Sequence, residues 1–569
     1  MGKSLSKKSS DSKSVKRVGS GGVVLPRQHT RLLKERVEHI SDFVSLPSEE
    51  DETVLGVGVN GEVILGSDKK TGRAVALKIV SKQTKHLDEL RLEIDLLSQM
   101  DHPNIVKLVA SYEDKVNLYM VTEFCPGGDL STRLASKRKK RFREWEAKCL
   151  VVQMCRAIAY VHSHGICHRD LKLNNWLYSF PLKKFESAKG AIKRARSFNS
   201  ENEDMPQHTC VKLIDFGLSQ KYYDMAQKEF CEMKSFVGTP GYVAPEIQQT
   251  LHHHIDHYDK AVDMWSMGVL AFNLLSGKMP FLHPSGGVNV AALLSDKIDR
   301  SYRSKFQNDS FWRNKASLES RDFIDKLLDP SPQSRLTAQE ALAHPWLEVG
   351  GFKHGEGLGD DDVHLDNQTL ERFRLFCTMS ATEQAMMTLV AEAMPPADEV
   401  VLRELFLSIN SNNNGVISWE EMEAVLLNSD ADSQTVRQIH TLFQETSVDM
   451  CEKNSVVYTE FLAATMDHRF LHDKRLLHQS FRNADVGNSG IVDVTELISA
   501  FSKISTPKRN DGGGIRGGQS CGLSADQQQS GTPAEGGAGL AAKVIRTINF
   551  DDFVEFCNKL DTQQHPHQK

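Results

Sequence analysis

The octet His168-Arg169-Asp170-Leu171-Lys172-Leu173-Asn174-Asn175 constrains this chain more than any other stretch. An Asp followed two residues later by Lys and five later by Asn gathers a carboxylate, a cation and an amide into one short loop. Such a set can orient a hydroxyl nucleophile, neutralise a transferring phosphoryl group and hold a metal ion. An Arg-Asp-Leu-Lys string also occurs on solvated helices, so its meaning depends on what stands before and after it.

Before it, Gly56-Val57-Gly58-Val59-Asn60-Gly61-Glu62-Val63 lies between the β-type runs Thr53-Val54-Leu55 and Val63-Ile64-Leu65. This predicts a strand-turn-strand hairpin whose glycines let the backbone lie over phosphates. A dinucleotide-binding turn of similar spelling would need a helix directly after its last glycine. Val75-Ala76-Leu77-Lys78-Ile79-Val80 reads as a buried strand with one Lys in it. A core strand does not bury an ammonium without a partner, so Lys78 predicts both an anion and a carboxylate. The amphipathic stretch 87–100 offers Glu93 as that carboxylate, with Glu89 and Asp95 as solvated alternatives. Residues 118–129 read as a strand running into Pro126-Gly127-Gly128, a connector that can hinge two lobes and offer backbone groups to an adenine edge.

After the octet come Asp215-Phe216-Gly217, then Gly238-Thr239-Pro240-Gly241-Tyr242-Val243-Ala244-Pro245-Glu246, then Asp263-Met264-Trp265-Ser266-Met267-Gly268, and finally Arg335. In this order the motifs resemble the eukaryotic protein kinases over residues 55–346. The resemblance implies a bilobal fold in which Asp170 orients the acceptor hydroxyl and Lys172 neutralises transferring charge. It further implies that Asn175 and Asp215 hold Mg²⁺, that Lys78 with Glu93 positions the phosphates of ATP, and that Arg335 partners Glu246. The ATP site it implies is lined by Leu55, Gly56, Val57, Gly58, Gly61, Val63, Ala76, Lys78, Glu123, Cys125 and Asp129. Lys172 favours Ser/Thr over Tyr in the protein substrate.

Three features depart from the pattern. Leu173-Asn174 replaces a common Pro-Glu whose Glu reads a basic residue in the substrate, leaving Asp129 as one acidic reader. The segment between Leu177 and Cys210 is long and basic, and reads as a surface insertion. Arg169 would ordinarily meet an activation-loop phosphate, and Glu229 or Glu232 can supply that charge permanently. His252-His253-His254 falls where a solvated loop is expected, and is read as that rather than as a metal site.

Past residue 348 the chain changes character. Phe406, Phe443 and Phe481 each enter a loop, and Glu421, Glu460 and Glu496 each leave one, at a period of about 37 residues. The loops have ion-ligand spelling, since hard cations need oxygens at positions 1, 3, 5, 7, 9 and 12 and a Gly at 6. The third is the best, with Asp485, Ser489, Gly490, Ile491, Asp493 and Glu496, although Gly487 offers no side chain at position 3. The first, Asn410, Asn412, Asn414, Gly415, Val416, Ser418 and Glu421, has one ligating carboxylate and predicts weak binding. The second, around 449–460, has Lys453 and Asn454 at positions 5 and 6; the fourth keeps only its exit, Thr547 to Phe553. Neither is expected to bind.

A kinase followed by an amphipathic junction and four EF-hand-like units resembles the calcium-dependent protein kinases of plants and protists, over residues 55–560. The fold class implied is α+β, a bilobal kinase followed by an all-α calmodulin-like domain. The expected divisions are a basic, mostly disordered tail (1–50), the kinase (51–347), a linker with an autoinhibitory junction (348–393) and the EF-hand domain (394–560). The resemblance implies that residues 365–379 block the substrate site until Ca²⁺ makes the tail re-engage the junction. Two other readings stand beside it: a Ca²⁺-insensitive kinase with a structural tail, and a Ca²⁺-binding scaffold with a silent kinase fold.

Composition narrows the setting. The net charge of -6 argues against nucleic acid as partner and leaves protein substrates. The 10 cysteines are scattered singly, which suits a reducing, cytoplasmic compartment. Met1-Gly2-Lys3-Ser4-Leu5-Ser6 fits N-myristoylation at Gly2, and Lys7, Lys8, Lys13, Lys16 and Arg17 add charge for an anionic membrane surface.

Overall fold

The computed structural model describes residues 34–36, 39–46, 54–58, 61–69, 71–83, 87–180, 210–225, 227–251, 255–281, 312, 316–348, 365–429, 431–445, 455–485, 490–493 and 547–562. Gly2 and the basic residues after it, the insertion between Leu177 and Cys210 from residue 181 onward, His252 to His254, and the fourth cation loop all lie outside these.

The first lobe is a seven-stranded sheet built from β1 (Lys34–Arg36), β2 (Val44–Ser45), β3 (Val54–Gly58), β4 (Gly61–Asp68), β5 (Ala74–Ser81), β6 (Leu108–Glu113) and β7 (Asn117–Glu123). Its order is β1-β6-β7-β5-β4-β2, with β3 also paired to β4. The β3–β4 hairpin closes with Gly58 opposite Gly61, as the β-branched run after the glycines requires. One boundary differs from expectation. The sheet begins before residue 51, because β1 pairs parallel with β6 and β2 pairs with β4. Ile40 and Val44 are buried and Phe43 stacks on Tyr112 at 4.8 Å, so this segment covers one face of the sheet with apolar side chains.

Helix α1 (Leu87–Leu97) packs on this sheet, burying Leu90, Ile94, Leu96 and Leu97 together with one charged residue, Glu93. The second lobe is helical. It contains α2 (Leu130–Ser136), α3 (Glu144–Ser163), α4 (Pro245–Leu251), α5 (Ala261–Ser276) and α6 (Leu318–Leu327), with the short pairs β8 (Ile166–Cys167) to β11 (Gln220–Lys221) and β9 (Trp176–Tyr178) to β10 (Val211–Leu213) holding the catalytic segments. Helix α5 is apolar on every side and sits in the middle of the lobe, buried from Val262 to Leu275. It ends where Gly277 adopts φ 71°, a left-handed cap that closes against the Lys140 carbonyl and leaves no room for a Cβ. The stretch after β11 forms a small hairpin, β12 (Tyr223–Asp224) with β13 (Glu229–Phe230).

The C-terminal part is helical apart from two short ladders. Helices α7 (Asn367–Thr378), α8 (Ala381–Ala393), α9 (Pro396–Ile409), α10 (Trp419–Leu427), α11 (Ser433–Glu445), α12 (Tyr458–Thr465), α13 (Lys474–Ala484) and α14 (Phe550–Thr562) share one core. Strand β14 (Val416–Ser418) pairs with β15 (Ser455–Val457), and β16 (Ile491–Asp493) with β17 (Thr547–Asn549), so the four units form two pairs. The junction is part of this domain. Helix α7 lies against α11 and α12, and α8 against α12 and α13, with Leu370, Phe373, Phe376 and Met379 buried in the common core. The segment expected over the substrate site therefore has its apolar face inside the tail in this structure.

The C-terminal domain rests on the two-lobed domain and touches both of its lobes. From the first lobe Arg73 donates to the Ala393 carbonyl and Lys107 faces Glu392 at 3.8 Å. At the junction of the lobes Asp101 accepts from the Thr459 amide at 2.9 Å and its hydroxyl at 2.8 Å. From α3, Arg156 Nε donates to Asn413 Oδ1 at 2.9 Å, and Gly415 lies so close to the Tyr160 ring that a Cβ there would collide with it. Thr459 is in the first turn of α12, so Asp101 of the first lobe caps a tail helix. Replacing Asp101 with Ala removes that cap, worth about 1 kcal/mol. Amide exchange at Thr459 and its neighbours should then rise about fivefold, while exchange in the α5 core stays unchanged.

Candidate active site and cation loops

The catalytic segment is positioned by α5. The Asp263 carboxylate, fully buried, accepts from the backbone amides of His168 and Arg169 at 2.8 Å each, from His162 Nε2 at 2.9 Å and from Cys167 Sγ at 3.3 Å. Burial would raise its pKa, but these donors, His162 foremost, hold it below the usual carboxylate range. Arg169 is thereby fixed at φ 67°, an unusual conformation for a side chain of its size.

From this anchor Asp170 emerges, 7% exposed, with Oδ2 on Lys172 Nζ at 2.6 Å and Oδ1 accepting from Thr239 Oγ1 at 2.6 Å. Lys172 also reaches Thr239 at 3.1 Å. The Asn175 amide donates to the Asp170 carbonyl at 2.9 Å, which leaves its oxygen as the atom available to a cation. Across the cleft, Lys78 Nζ lies 2.6 Å from Glu93 and 3.6 Å from Asp215. Glu93 is the carboxylate that Lys78 meets, and it also accepts from the Phe216 amide at 3.2 Å. Asp215 takes the Gly217 amide at 3.1 Å. Burial would raise its pKa, but the Lys78 ammonium and that amide outweigh it and hold the group low, ready as an anion.

The residues expected to line the nucleotide site lie on the adjacent strands β3, β4 and β5 and in the connector from β7 to α2. Leu55, Gly56, Val57 and Gly58 form β3, Gly61 and Val63 begin β4, and Ala76 is opposite Leu65 and Thr122 in the sheet. Cys125 is buried just past β7. Glu123 turns its carboxylate to the rear of the hinge, accepting from the Lys107 amide at 2.8 Å and Lys212 Nζ at 2.7 Å. Its own amide turns the same way, donating to the Lys107 carbonyl at 3.0 Å. Asp129 spends its carboxylate as the cap of α2, accepting from the Thr132 amide at 2.9 Å and hydroxyl at 2.7 Å.

One expectation about charge changes. Neither Glu229 nor Glu232 meets Arg169: Glu229 is exposed on β13, and Glu232 pairs with Lys234 at 2.6 Å. Arg169 instead donates to the Leu218 carbonyl at 2.7 Å and the Tyr258 hydroxyl at 3.1 Å, and that hydroxyl donates to the Ser235 carbonyl at 2.7 Å. A neutral Tyr thus ties the activation segment to the catalytic loop. Thr239, Tyr258 and Asp263 were not selected from the sequence as site residues. Thr239 and Asp263 stand in motifs that were recognised, whereas Tyr258 has no signal of its own. The Arg335–Glu246 pair forms as expected, bidentate at 2.6 and 3.1 Å and buried against Trp265.

In the tail, the strand registers number the loops without reference to any ion. Ile417 opposes Val456 and Val492 opposes Ile548, the central residues of each pair. Counting from Ile548 puts Ala541, Lys543 and Ile545 at positions 1, 3 and 5 of the fourth loop, which offers no side-chain oxygen there. Counting from Val456 puts Asp449, Cys451 and Lys453 at positions 1, 3 and 5 of the second loop, a ligand-poor set, while α9 and α13 end directly before Asn410 and Asp485, position 1 of the first and third loops.

The first and third loops keep the geometry a cation needs. In the third, Gly490 has φ 76° and donates its amide to Asp485 Oδ2 at 2.7 Å. Ile491 is in β16; Ser489 and Glu496 lie outside the described residues, as does the side chain of Asp493. In the first, Asn412 Oδ1 accepts from the Asn414 amide and Asn414 Oδ1 from the Val416 amide, while Glu421 reaches back to Ser411, Asn412 and Ser418. Asn410, 2% exposed, has neither amide atom hydrogen-bonded. A buried orphan oxygen at position 1 is what a cation would satisfy.

This cleft, with its lysine–carboxylate pair, its Asp170–Lys172–Thr239 cluster and its buried anchor, belongs to a protein kinase. A family profile for the protein kinase domain matches residues 50–347. Calcium-dependent protein kinase 3 of Plasmodium berghei is 31% identical over 460 residues, 81% of this chain and 73% of the relative. Calcium-dependent protein kinase 5 of the same organism is 29% identical over 83% of this chain and 75% of the relative, and calcium-dependent protein kinase 34 of Arabidopsis thaliana is 29% identical over 81% and 78%. The chain belongs to the calcium-dependent protein kinase family. It is a protein serine/threonine kinase, an enzyme that uses ATP and Mg²⁺.

The Lys78–Glu93 pair sets a pH dependence. Burial pushes Glu93 up to about 7 against the pull of Lys78, while Lys78 is itself raised because Glu93 and Asp215 outweigh its burial. Between the ordinary 4.5 and about 7 the folded chain keeps a proton that the unfolded chain has lost, so this group's contribution to stability declines as pH rises through that window. The ion pair forms in the same direction. Turnover should rise about tenfold between pH 6 and pH 8 for one group titrating near neutrality. Glu93→Gln should flatten the profile at a lower rate; an unchanged slope in that variant would exclude Glu93 as its origin.

Proposed function

We propose that this chain is a Ca²⁺-regulated serine/threonine kinase in which the tail controls the catalytic domain. In the transfer step Asp170 takes up the acceptor hydroxyl's proton and aligns its oxygen. Lys172, held between Asp170 and Thr239, lies where it can neutralise charge on the phosphoryl group, and Lys78, fixed by Glu93, steadies the phosphates behind it. Asn175 and Asp215 are the residues that would hold Mg²⁺, which when bound offsets phosphate charge.

Control by Ca²⁺ is supported above all by the third loop, whose Asp485–Gly490 closure is in place. The first loop, with one carboxylate and the orphaned Asn410, is the weaker site. On this reading the junction segment 365–379 inhibits when it leaves the tail core; the apolar face that it packs on α11 and α12 is what supports an exchange between two docking sites. We also propose that Gly2 carries a myristoyl group and that the protein works in the cytoplasm at a membrane surface, since one acyl chain plus a basic tail suffices for reversible attachment.

A second reading treats the tail as a fixed brace, and the intact β14–β15 ladder beside a ligand-poor second loop favours it. Activity measured against free Ca²⁺ separates the two. Under the first reading, activity rises with Ca²⁺ and Asp485→Ala with Glu496→Gln moves the midpoint at least about tenfold higher, the loss of two ligating carboxylates. Equal activity in chelator and in saturating Ca²⁺, indifferent to those substitutions, would establish the brace.

A further inference from the structure

Between α2 and α3 runs a connector, 137–143, that reads Lys-Arg-Lys-Lys-Arg-Phe-Arg. In a chain of net charge -6 this is a local concentration of positive charge, and the catalytic mechanism uses none of it. The usual explanation for such a run is a solvated face. Three observations distinguish this one.

First, the acids nearest in sequence are turned inward. Glu144 accepts from the Ser317 amide and the Trp346 indole at 3.0 Å each, and Glu146, 1% exposed, accepts from Lys137 Nζ at 2.9 Å and the Arg143 amide at 2.8 Å. Arg138, Lys139 and Lys140 are left exposed, with no carboxylate from their own segment on them. Second, the connector is preformed. Phe142 is buried and its amide donates to the Leu274 carbonyl at 2.9 Å, while a turn from Lys137 to Lys140, closed at 2.8 Å, holds Lys140 at φ 46°. Third, Trp145 in the first turn of α3 is 43% exposed, with the Arg143 guanidinium 4.8 Å from its ring. The other tryptophans are buried or partly buried. An exposed indole beside clustered cations suits a surface that is anionic outside and apolar just beneath.

We propose that this connector, with Trp145, is an anionic-membrane contact of the kinase domain itself, separate from any acyl chain at Gly2. A convex turn with a single aromatic does not form the groove that a nucleic-acid strand or an acidic peptide would occupy. Basic residues near a membrane surface contribute roughly fivefold each in binding, so three are worth about a hundredfold.

The test uses the full chain carrying Gly2→Ala, so that no acyl group contributes, with phosphatidylcholine vesicles with and without phosphatidylserine. The unsubstituted patch should bind only the phosphatidylserine vesicles, and weaken as salt rises. Arg138→Ser, Lys139→Ser and Lys140→Asn together should cut binding about a hundredfold, with activity on a soluble peptide unchanged as the check on folding. Brominated lipid should quench the tryptophan fluorescence, and Trp145→Phe should abolish the quenching. Equal vesicle binding by the triple variant overturns the proposal. So does binding to heparin or polyglutamate without lipid quenching, which would assign the patch to a soluble polyanion.

Discussion

The catalytic half of this protein depends on a carboxylate that touches no substrate. Asp263 stands in the first turn of a helix buried on all sides, where the helix dipole favours negative charge, and its two oxygens take up four donors. Two of these are successive backbone amides of the catalytic loop. A carboxylate bonded to consecutive amides fixes the direction of the chain leaving them, and that direction puts Asp170 between Lys172 and Thr239. The left-handed Arg169 costs on the order of 1 kcal/mol or more. It persists because Asp263 on one side and the Leu218 and Tyr258 oxygens on the other leave it no alternative. The buried helix, the catalytic loop and the activation segment are thus one mechanical unit.

The hinge has a comparable economy. Glu123 ties the hinge to both lobes: its side chain holds Lys212 of β10 and the Lys107 amide, and its own amide donates to the Lys107 carbonyl at 3.0 Å. Burial lowers the affinity of Lys212 for its proton, yet Glu123 and, from the tail, Glu399 outweigh this and keep it charged. The tail therefore adds its charge to a cluster that already joins the two lobes. Contacts from Arg73, Asp101 and Arg156 lie around this point, so the relative setting of the lobes and the docking of the tail are mutually dependent.

What was legible from the sequence follows from how local each constraint is. The β3–β4 hairpin, Lys78 with Glu93 and Arg335 with Glu246 were readable because each rests on a short motif with a single physical requirement: glycine over phosphate, or a counter-charge for a buried ion. The first strands were missed because β1 and β2 have little pattern of their own and gain their strand character by pairing with β6 and β4. The destination of α7 was missed for a different reason. An amphipathic helix shows that one face will be buried, but Phe373 and Phe376 fit a tail groove as well as a kinase cleft, and periodicity cannot choose between them. Tyr258 was invisible because its hydroxyl works only where folding brings Arg169 and Ser235 together.

The degenerate loops make sense once the hands are treated as pairs. An EF-hand cannot bury its central strand residue alone, so Ile417 needs Val456 and Val492 needs Ile548 whether or not the partner loop holds an ion. Losing ligands from the second and fourth loops leaves that requirement intact, which is why their exit segments keep the β-branched residue and the acidic cap while their entering halves diverge. The pairing also has a directional consequence. The first loop is the one that rests on α3, with Asn413 on Arg156 and Gly415 against Tyr160, and its strand is tied to the second hand. Any rearrangement of the oxygens around Asn410 must therefore move either the ladder or the contact with the kinase. The ladder is buried and the contact is a single hydrogen bond plus a close approach, so the contact is the weaker constraint and the one that would give way.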